Sequence, residues 1–202
     1  MAHGIVSSKA SYAAKVALAL IHHPVVDKNG KTIAAAVTNL DLHDIARAAK
    51  TFGVEPFYVV TPLTDQQQLV TEIIDHWVTG VGARYNPDRR EALALIRLQP
   101  SLQAALDELS ARWDAKPQVV VTSAQMAASD LDWDGLRHLA AGDRPVLLIF
   151  GTAWGLAPEV IAQADFRLAP IAGRNGYNHL SVRSAVSIVL DRMFTGCAGN
   201  ES

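Results

Sequence analysis

Residues 145–193 decide the fold that this sequence predicts, and they read PVLLIFGTAWGLAPEVIAQADFRLAPIAGRNGYNHLSVRSAVSIVLDRM. The apolar run VLLIF, residues 146–150, has no polar alternation, which is typical of a parallel strand covered on both faces. The glycine turn GTAWG follows, and a second short apolar segment, residues 166–171, leads into a polar loop, residues 172–178. The stretch closes with helical spacing from His179 onward. Its order is therefore strand, tight turn, helix, strand, loop and helix.

Two loops of this stretch are expected to form one ligand site. Gly151 and Gly155 permit a sharp turn and a close approach of the backbone to a ligand. Ligands of open α/β sheets lie beyond the carboxyl ends of strands, where both the glycine turn and residues 169–173 fall. We therefore expect the two loops to face each other and to hold one small organic ligand. An ordinary strand-to-helix turn is the alternative interpretation of the two glycines.

The composition fits a single α/β domain in a reducing compartment. The chain has 202 residues, of which 50% are apolar and 19% charged, as expected for a largely buried sheet. The formal net charge is −2, so any RNA contact must come from a local patch. Cys197 is the only cysteine, which excludes an intrachain disulfide. No stretch reaches the roughly 18 apolar residues of a membrane span, and residues 13–21 lack the cleavage site of a signal peptide.

Strands alternate with helices along the rest of the chain, which predicts a parallel sheet with helices on both faces. Strands are expected at residues 16–21, 57–60 and 119–121. Helices are expected near residues 39–52, 65–77, 101–113 and from 134, with a polar loop over 83–90. In the first helix, Asn39 or Asp41 is the expected cap, the inward face is Leu42, Ile45, Ala46 and Ala49, and Gly53 follows the end. The expected organisation is a partly ordered extension over 1–15, one domain over 16–196 and a tail over 197–202.

Several common enzyme motifs are absent from the sequence. No Gly-x-Gly-x-x-Gly follows the first strand, and no P-loop or Gly-x-Ser-x-Gly occurs anywhere. Ordinary dinucleotide enzymes, P-loop enzymes and α/β-hydrolases are therefore disfavoured. The adjacent His22 and His23 would point to opposite faces of a strand, so we expect no metal site.

Three motifs together resemble those of the SPOUT class of RNA methyltransferases. They are Asn39…Asp44…Arg47 where a helix opens, FGTAWGL over residues 150–156, and NHLSVRSA over residues 178–185. Within that class the chain is similar to the small RNA methyltransferases related to the C-terminal domain of tRNA (guanine-N1) methyltransferase. The resemblance implies a five- or six-stranded parallel sheet with a deep C-terminal trefoil knot, S-adenosylmethionine bound in the knot loops, and a homodimer with the site near its interface.

The resemblance also implies which residues hold the cofactor. Adenine needs a thin apolar slot edged by backbone donors and acceptors, and the ribose or methionine portion needs polar groups. The expected cofactor-binding residues are Thr122, Ser123, Gly151, Gly155, Ala169, Pro170, Ile171, Tyr177, Asn178, Leu180 and Ser181. Capping of the last helix is the alternative role for Ser181, and a solvated loop is the alternative for Tyr177 and Asn178.

The catalytic residues are expected in the first motif. Methyl transfer requires the nucleophile to be aligned behind the methyl group, and sometimes a base. Arg47 matches an arginine that faces the RNA phosphate or the acceptor in the family, Asp44 is a candidate base, and Asn39 a candidate positioning group. The alternatives are a surface arginine, a first-turn carboxylate on the helix dipole, and a cap. Some relatives carry a glutamate between the glycines of the second motif, but here the nearest acid is Glu159, which leaves the target atom open.

Four arginines are candidates for contacts with RNA phosphates. They are Arg84, Arg89, Arg90 and Arg174, and a solvated loop is the alternative for the first three. The sequence thus predicts a cytoplasmic, homodimeric, S-adenosylmethionine-dependent RNA methyltransferase acting on tRNA or rRNA, without a metal. The alternatives are a non-catalytic knotted module that binds S-adenosylmethionine and an unknotted flavodoxin-like α/β enzyme.

Overall fold

The computed structural model describes residues 15–125 and 128–195, and its centre is a six-stranded parallel sheet. The strands are β1 (Val16–Ile21), β2 (Val25–Val26), β3 (Thr32–Ile33), β4 (Phe57–Val60), β5 (Ile96–Gln99), β6 (Gln118–Val121), β7 (Val146–Gly151) and β8 (Phe166–Arg167). The order across the sheet is β5-β4-β1-β7-β6-β8, and every neighbouring pair is parallel. Strands β2 and β3 form a separate antiparallel pair. The predicted parallel sheet is confirmed.

Helices cover both faces of the sheet. They are α1 (Asn39–Thr51), α2 (Thr64–Val78), α3 (Val81–Tyr85), α4 (Pro87–Leu93), α5 (Leu102–Trp113), α6 (Trp133–Ala141), α7 (Pro158–Ala162) and α8 (Val182–Thr195). Strand β1 is buried along its whole length, and its side chains alternate between two apolar clusters. One cluster takes Leu18 together with residues of α1 and α8, and the other takes Ala19 together with residues of α5. The unbroken apolar pattern of β1 therefore reflects burial from two sides.

Helix α1 has the predicted inward face but a different cap. Its buried residues are Leu42, Ile45, Ala46 and Ala49, as predicted. The cap is Thr38, whose hydroxyl oxygen accepts a hydrogen bond from the Asp41 N–H at 3.3 Å. The prediction of Asn39 or Asp41 as the cap is wrong, because Thr38 has the extended backbone of a cap and the other two residues already lie inside the helix. Gly53, at φ +67°, follows the end of the helix as predicted.

Two other local predictions differ from the structure. Residues 83–90 are mostly helical rather than a loop, because Asn86 caps α4 through its side-chain oxygen and Pro87 occupies the first turn. In α2, whose apolar residues are expected to face the core, the fully buried residue is Val70, whereas Leu69 is 39% exposed. Ile73, Ile74 and Trp77 are partly buried against the core, so the inward side of α2 consists of Val70 and these three residues.

Parts of the expected organisation lie outside the described residues. Residues 1–14 of the expected extension and the expected tail over residues 197–202, with Cys197, belong to those parts. Within the described residues, no helix combines the length and the apolar character needed to cross a bilayer. The domain boundaries and the threading of a knot stay predictions.

Candidate functional site

The carboxyl ends of β6 and β7 open onto a cavity of about 570 Å³. Its wall is formed by residues within 35–41, 122–125, 150–155, 168–171 and 178–189, together with Trp133. Gly151 and Ile171 both line it, so the two loops predicted to share a ligand do share a cavity. Its volume falls within the roughly 300–1,000 Å³ that is typical of small-molecule sites.

The loop after β7 is fastened to the neighbouring strands. The Thr152 hydroxyl donates to the Ile21 carbonyl at 3.0 Å. The Trp154 N–H donates to the Val26 carbonyl at 3.1 Å, and the Val26 N–H donates to the Gly155 carbonyl at 2.9 Å. These bonds fix the turn against the ends of β1 and β2, so this part of the wall is preformed.

The two glycines of this loop are required for different reasons. A Cβ at Gly151 would lie 2.8 Å from the Leu156 backbone nitrogen, which is closer than real Cβ contacts. A Cβ at Gly155 would meet nothing within 4 Å, but the residue has φ +118°, which side chains disfavour. Gly151 therefore provides space for a close backbone approach, whereas Gly155 provides the turn.

The second half of the wall is held by contacts between loops. The Asn178 side-chain amide donates to the Ala124 carbonyl at 3.0 Å, which joins the segment before α8 to the segment after β6. The Ala169 N–H donates to the Leu131 carbonyl at 2.8 Å. Ser181 lines the cavity, and its hydroxyl oxygen also accepts from the Ser184 N–H at 3.3 Å, in the manner of a helix cap.

The cavity gathers the predicted cofactor residues with one exception. The members that line it are Thr122, Ser123, Gly151, Gly155, Ala169, Pro170, Ile171, Asn178, Leu180 and Ser181. Tyr177 is 69% exposed and lies off the wall, where its ring faces the edge of the His179 ring. Sequence reasoning missed Asp41 and Trp154, which both line the cavity. Both lie within the motifs that carried the resemblance.

The residues predicted for catalysis lie beside the cavity rather than on its wall. Asn39, Asp44 and Arg47 are all exposed on α1, and none of them lines the cavity. Asp41, Asp44 and Arg47 succeed one another at spacings of three residues, which places them along one side of the helix. The carboxylate of α1 that lines the cavity is therefore that of Asp41, one helical turn before the predicted Asp44.

An arginine from α8 bridges the two carboxylates of α1. Arg183 Nε lies 3.5 Å from Asp41 Oδ1, and Arg183 Nη1 lies 3.6 Å from Asp44 Oδ2. The Asp41 side chain is 14% exposed, whereas that of Asp44 is 47% exposed. We call Asp41, Asp44 and Arg183 the rim cluster. It joins α1 to α8, and its Asp41 carboxylate is largely buried whereas its Asp44 carboxylate is half exposed.

A buried histidine lies directly after β1. His22 is fully buried, and its carbonyl accepts a hydrogen bond from the Ala35 N–H at 2.7 Å. Burial lowers the pKa of His22 below its ordinary value, and the opposing attraction of the Asp41 carboxylate does not compensate. The imidazole is therefore neutral at neutral pH.

The four arginines predicted to contact RNA lie outside the cavity wall. Arg84, Arg90 and Arg174 are exposed. Arg89 is partly buried, with its guanidinium carbon 4.6 Å from the centroid of the Trp77 ring. This cation–π contact gives Arg89 a structural role in joining α4 to α2.

Comparisons with known proteins agree with this geometry. A family model described as SAM-dependent RNA methyltransferase matches residues 15–195. The chain is 44% identical over 175 residues to the tRNA (guanine-N(1)-)-methyltransferase of Oleidesulfovibrio alaskensis, covering 87% of this chain and 41% of that protein. It is 36% identical over 181 residues to an uncharacterized protein of Aquifex aeolicus, covering 89% of this chain and 88% of that protein. The chain thus spans about two fifths of the length of the named methyltransferase.

The fold has solved counterparts among methyltransferases. The AdoMet-bound rRNA methyltransferase from Sinorhizobium meliloti has a TM-score of 0.51 and 23% identity, over 91% of this chain and 57% of that chain. The sequence similarities favour the methyltransferase interpretation over a flavodoxin-like enzyme. Because the family model covers nearly all described residues, the chain belongs to the SAM-dependent RNA methyltransferases of the SPOUT class that its motifs resemble.

Proposed function

We propose that the cavity binds S-adenosylmethionine and that the chain transfers its methyl group to RNA. The observation that carries this proposal is the meeting of the two glycine-containing loops around one cavity at the carboxyl edge of the sheet. Ala169, Pro170 and Ile171 provide an apolar side that suits a flat purine, and Gly151 lines the same cavity. The residues present therefore fit the cofactor, which supplies an electrophilic methyl group on a sulfonium.

The hydroxyl groups at the end of β6 suit a ribose. The Thr122 hydroxyl donates to the Ile149 carbonyl at 3.0 Å, which leaves its oxygen free to accept. The Ser123 hydroxyl oxygen accepts from the Gln125 N–H at 3.1 Å, which leaves its proton free to donate. Side by side they offer one acceptor and one donor to a ligand diol, whose hydroxyl groups can do both. We assign the ribose to this part of the cavity.

The exposed side of α1 is proposed to receive the RNA. Arg47 carries no salt bridge among the described residues and stands in solvent on the same side of the helix as Asp44. A free guanidinium there suits a phosphate, since phosphate contacts place an RNA without reading its sequence. Asp44 and Asn39 lie on the exposed part of the same helix and are proposed to position the acceptor. Arg84, Arg90 and Arg174 are proposed as further phosphate contacts.

The proposed substrate is tRNA, with guanine N1 as the first acceptor to test. This proposal takes its support from the relative that is 44% identical, which is named tRNA (guanine-N(1)-)-methyltransferase. Methylation at that atom exchanges the N1 proton for the methyl group, so the proton must pass to a base or to water. A homodimer in the cytoplasm is proposed with it, in line with the resemblance of the motifs to the SPOUT class.

Two measurements test the proposal. Calorimetric titration with S-adenosylmethionine should give saturable binding by the full chain. Tritiated methyl groups should then enter tRNA isolated from a strain that lacks this protein, and nucleoside analysis identifies the product. Saturable binding without transfer to tRNA or rRNA would support the non-catalytic module instead. Absence of binding up to millimolar cofactor would overturn the proposal.

A further inference from the structure

The charge of the cavity wall is unbalanced. Among the described residues that line the cavity, Asp41 is the one carboxylate, and no lysine or arginine joins it there. The Asp41 side chain is only 14% exposed. A carboxylate with so little solvent acts on a neighbouring charge more strongly than a surface carboxylate does.

The groups around Asp41 do not cancel its charge. Arg183 is shared between Asp41 at 3.5 Å and Asp44 at 3.6 Å, so the rim cluster has two negative charges and one positive charge. Desolvation lowers the pKa of His22, which therefore adds no positive charge from behind at neutral pH. The rim cluster thus presents one net negative charge, and the carboxylate that touches the cavity is Asp41.

We propose that Asp41 makes this site prefer S-adenosylmethionine to its demethylated product, S-adenosylhomocysteine. The inference rests on the proposed function, since it requires that the cavity take this class of ligand. The two compounds carry the same amino and carboxylate groups and differ only in the methyl group and the positive charge on sulfur. A carboxylate on the wall attracts the cation and loses that attraction when the charge disappears. The spent cofactor therefore leaves more easily, and the site refills with the donor.

The test compares the dissociation constants of both ligands in matched variants. The readout is the ratio of the Kd for S-adenosylhomocysteine to the Kd for S-adenosylmethionine, measured by calorimetry on the full chain without RNA. Asp41→Asn should lower this ratio roughly ten-fold, since it removes the charge and keeps the shape. Asp41→Glu should retain most of it. Asp44→Asn is the matched control, because it changes a carboxylate with the same arginine partner that is 47% exposed and off the wall.

A third variant should change the ratio of the two Kd values in the opposite direction, which adds a further check. Arg183→Gln removes the only positive charge of the rim cluster, so the ratio should rise. For Asp44→Asn the change should stay below about three-fold, because water screens a half-exposed carboxylate. Circular dichroism and thermal melting identify any variant that has lost its fold, in which case Asp41→Glu and Arg183→Gln decide the matter.

The failures of this inference and of the proposed function are distinguishable. If Asp41→Asn binds both ligands with the wild-type ratio, Asp41 does not discriminate between them, and the proposed function stands. An Asp44→Asn effect as large as that of Asp41→Asn would also overturn the inference, because it would place the effect outside the cavity. If the wild-type chain binds neither ligand, the proposed function itself fails.

Discussion

An added methyl group at Gly151 tests whether the loop after β7 holds the cofactor. In Gly151→Ala the new Cβ would lie 2.8 Å from the Leu156 backbone nitrogen and 3.0 Å from its Cγ and Cδ2 atoms. Leu156 is 5% exposed and belongs to the apolar cluster beneath the loop, so it has little room to retreat. The loop must therefore shift toward the cavity side rather than compress the core.

The size of the effect follows from these contacts. Ordinary contact begins at 3.4 Å, so the new Cβ and the Leu156 nitrogen must separate by about 3.4 − 2.8 = 0.6 Å, mainly through a shift of the loop at position 151. Overpacking of this kind costs about 1–3 kcal/mol of stability. A displacement of this order in a binding loop should weaken S-adenosylmethionine binding by about ten-fold or more. The fold should survive, because Gly151 is the last residue of β7 and the rest of that strand is unchanged.

The assay combines calorimetric titration with urea unfolding, which separates binding from stability. Gly142→Ala is the matched control, since its Cβ would meet its nearest atom, the Leu139 carbonyl oxygen, at 3.4 Å and lies off the cavity wall. The control should bind the cofactor as the wild type does. A Gly151→Ala protein that unfolds at lower urea yet binds with an unchanged Kd would refute the assignment of this loop to the cofactor.

Three further predictions concern other parts of the molecule. The contribution of His22 to the free energy of unfolding should fall as the pH drops below about 6.5, because burial lowers the pKa of His22 and the unfolded chain takes up the proton first. This contribution is at most about 1.4 kcal/mol per pH unit, and His43, whose pKa burial also lowers, adds its own. Urea titrations of the wild type and of His22→Gln isolate the His22 contribution, and an equal pH dependence in both would contradict it. Arg47→Ala should keep the Kd for S-adenosylmethionine within about two-fold and reduce methyl transfer at least about ten-fold, as expected for a residue that acts on the acceptor. Lys50→Ala, which changes another exposed cation of α1, is the control. Unchanged methyl transfer by Arg47→Ala would contradict the proposed role of Arg47. Trp154 is 62% exposed at the cavity, so Trp154→Ala should weaken RNA binding in a filter assay by roughly 5–100-fold through lost base stacking. Tyr85→Ala changes an exposed aromatic residue off the cavity wall and should leave RNA binding unchanged. Equal effects of the two changes would count against base stacking at Trp154.

Local patterns sufficed to predict the elements whose burial is uniform. β1 and β7 lie in the middle of the sheet and are covered on both faces, so their apolar runs carry no alternation to misinterpret. The inward face of α1 was predictable because one side of it packs on the core and the other stands in solvent. Residues 83–90 were not, because their helices are short and the cap at Asn86 looks like a loop signal.

The wall of the cavity was predictable where it is made of backbone. This part of the wall consists of Gly151, Gly155 and residues 169–171. Their contribution depends on backbone conformation, which glycine and proline in the sequence indicate directly. Side chains were harder, because their direction depends on how a segment lies on the fold. Tyr177 and Asn178 are adjacent in sequence, yet one points to solvent and the other donates to Ala124 across the cavity.

The rim cluster shows that a sequence motif can predict which helix borders a site without predicting which of its side chains lines that site. The resemblance pointed to α1, and spacing alone does not distinguish Asp41 from Asp44, which lie on one side of that helix. What separates them is the approach of Arg183 from α8 and the depth of each carboxylate, and neither is visible along the sequence. A study of cofactor binding that is guided by the motif would change Asp44, find a modest effect on the ratio of the two Kd values, and conclude that no carboxylate affects binding here. Both carboxylates contact the same guanidinium, and only Asp41 lines the cavity. Comparing Asp41→Asn with Asp44→Asn therefore shows whether a carboxylate in the cavity, rather than one beside it, affects cofactor binding.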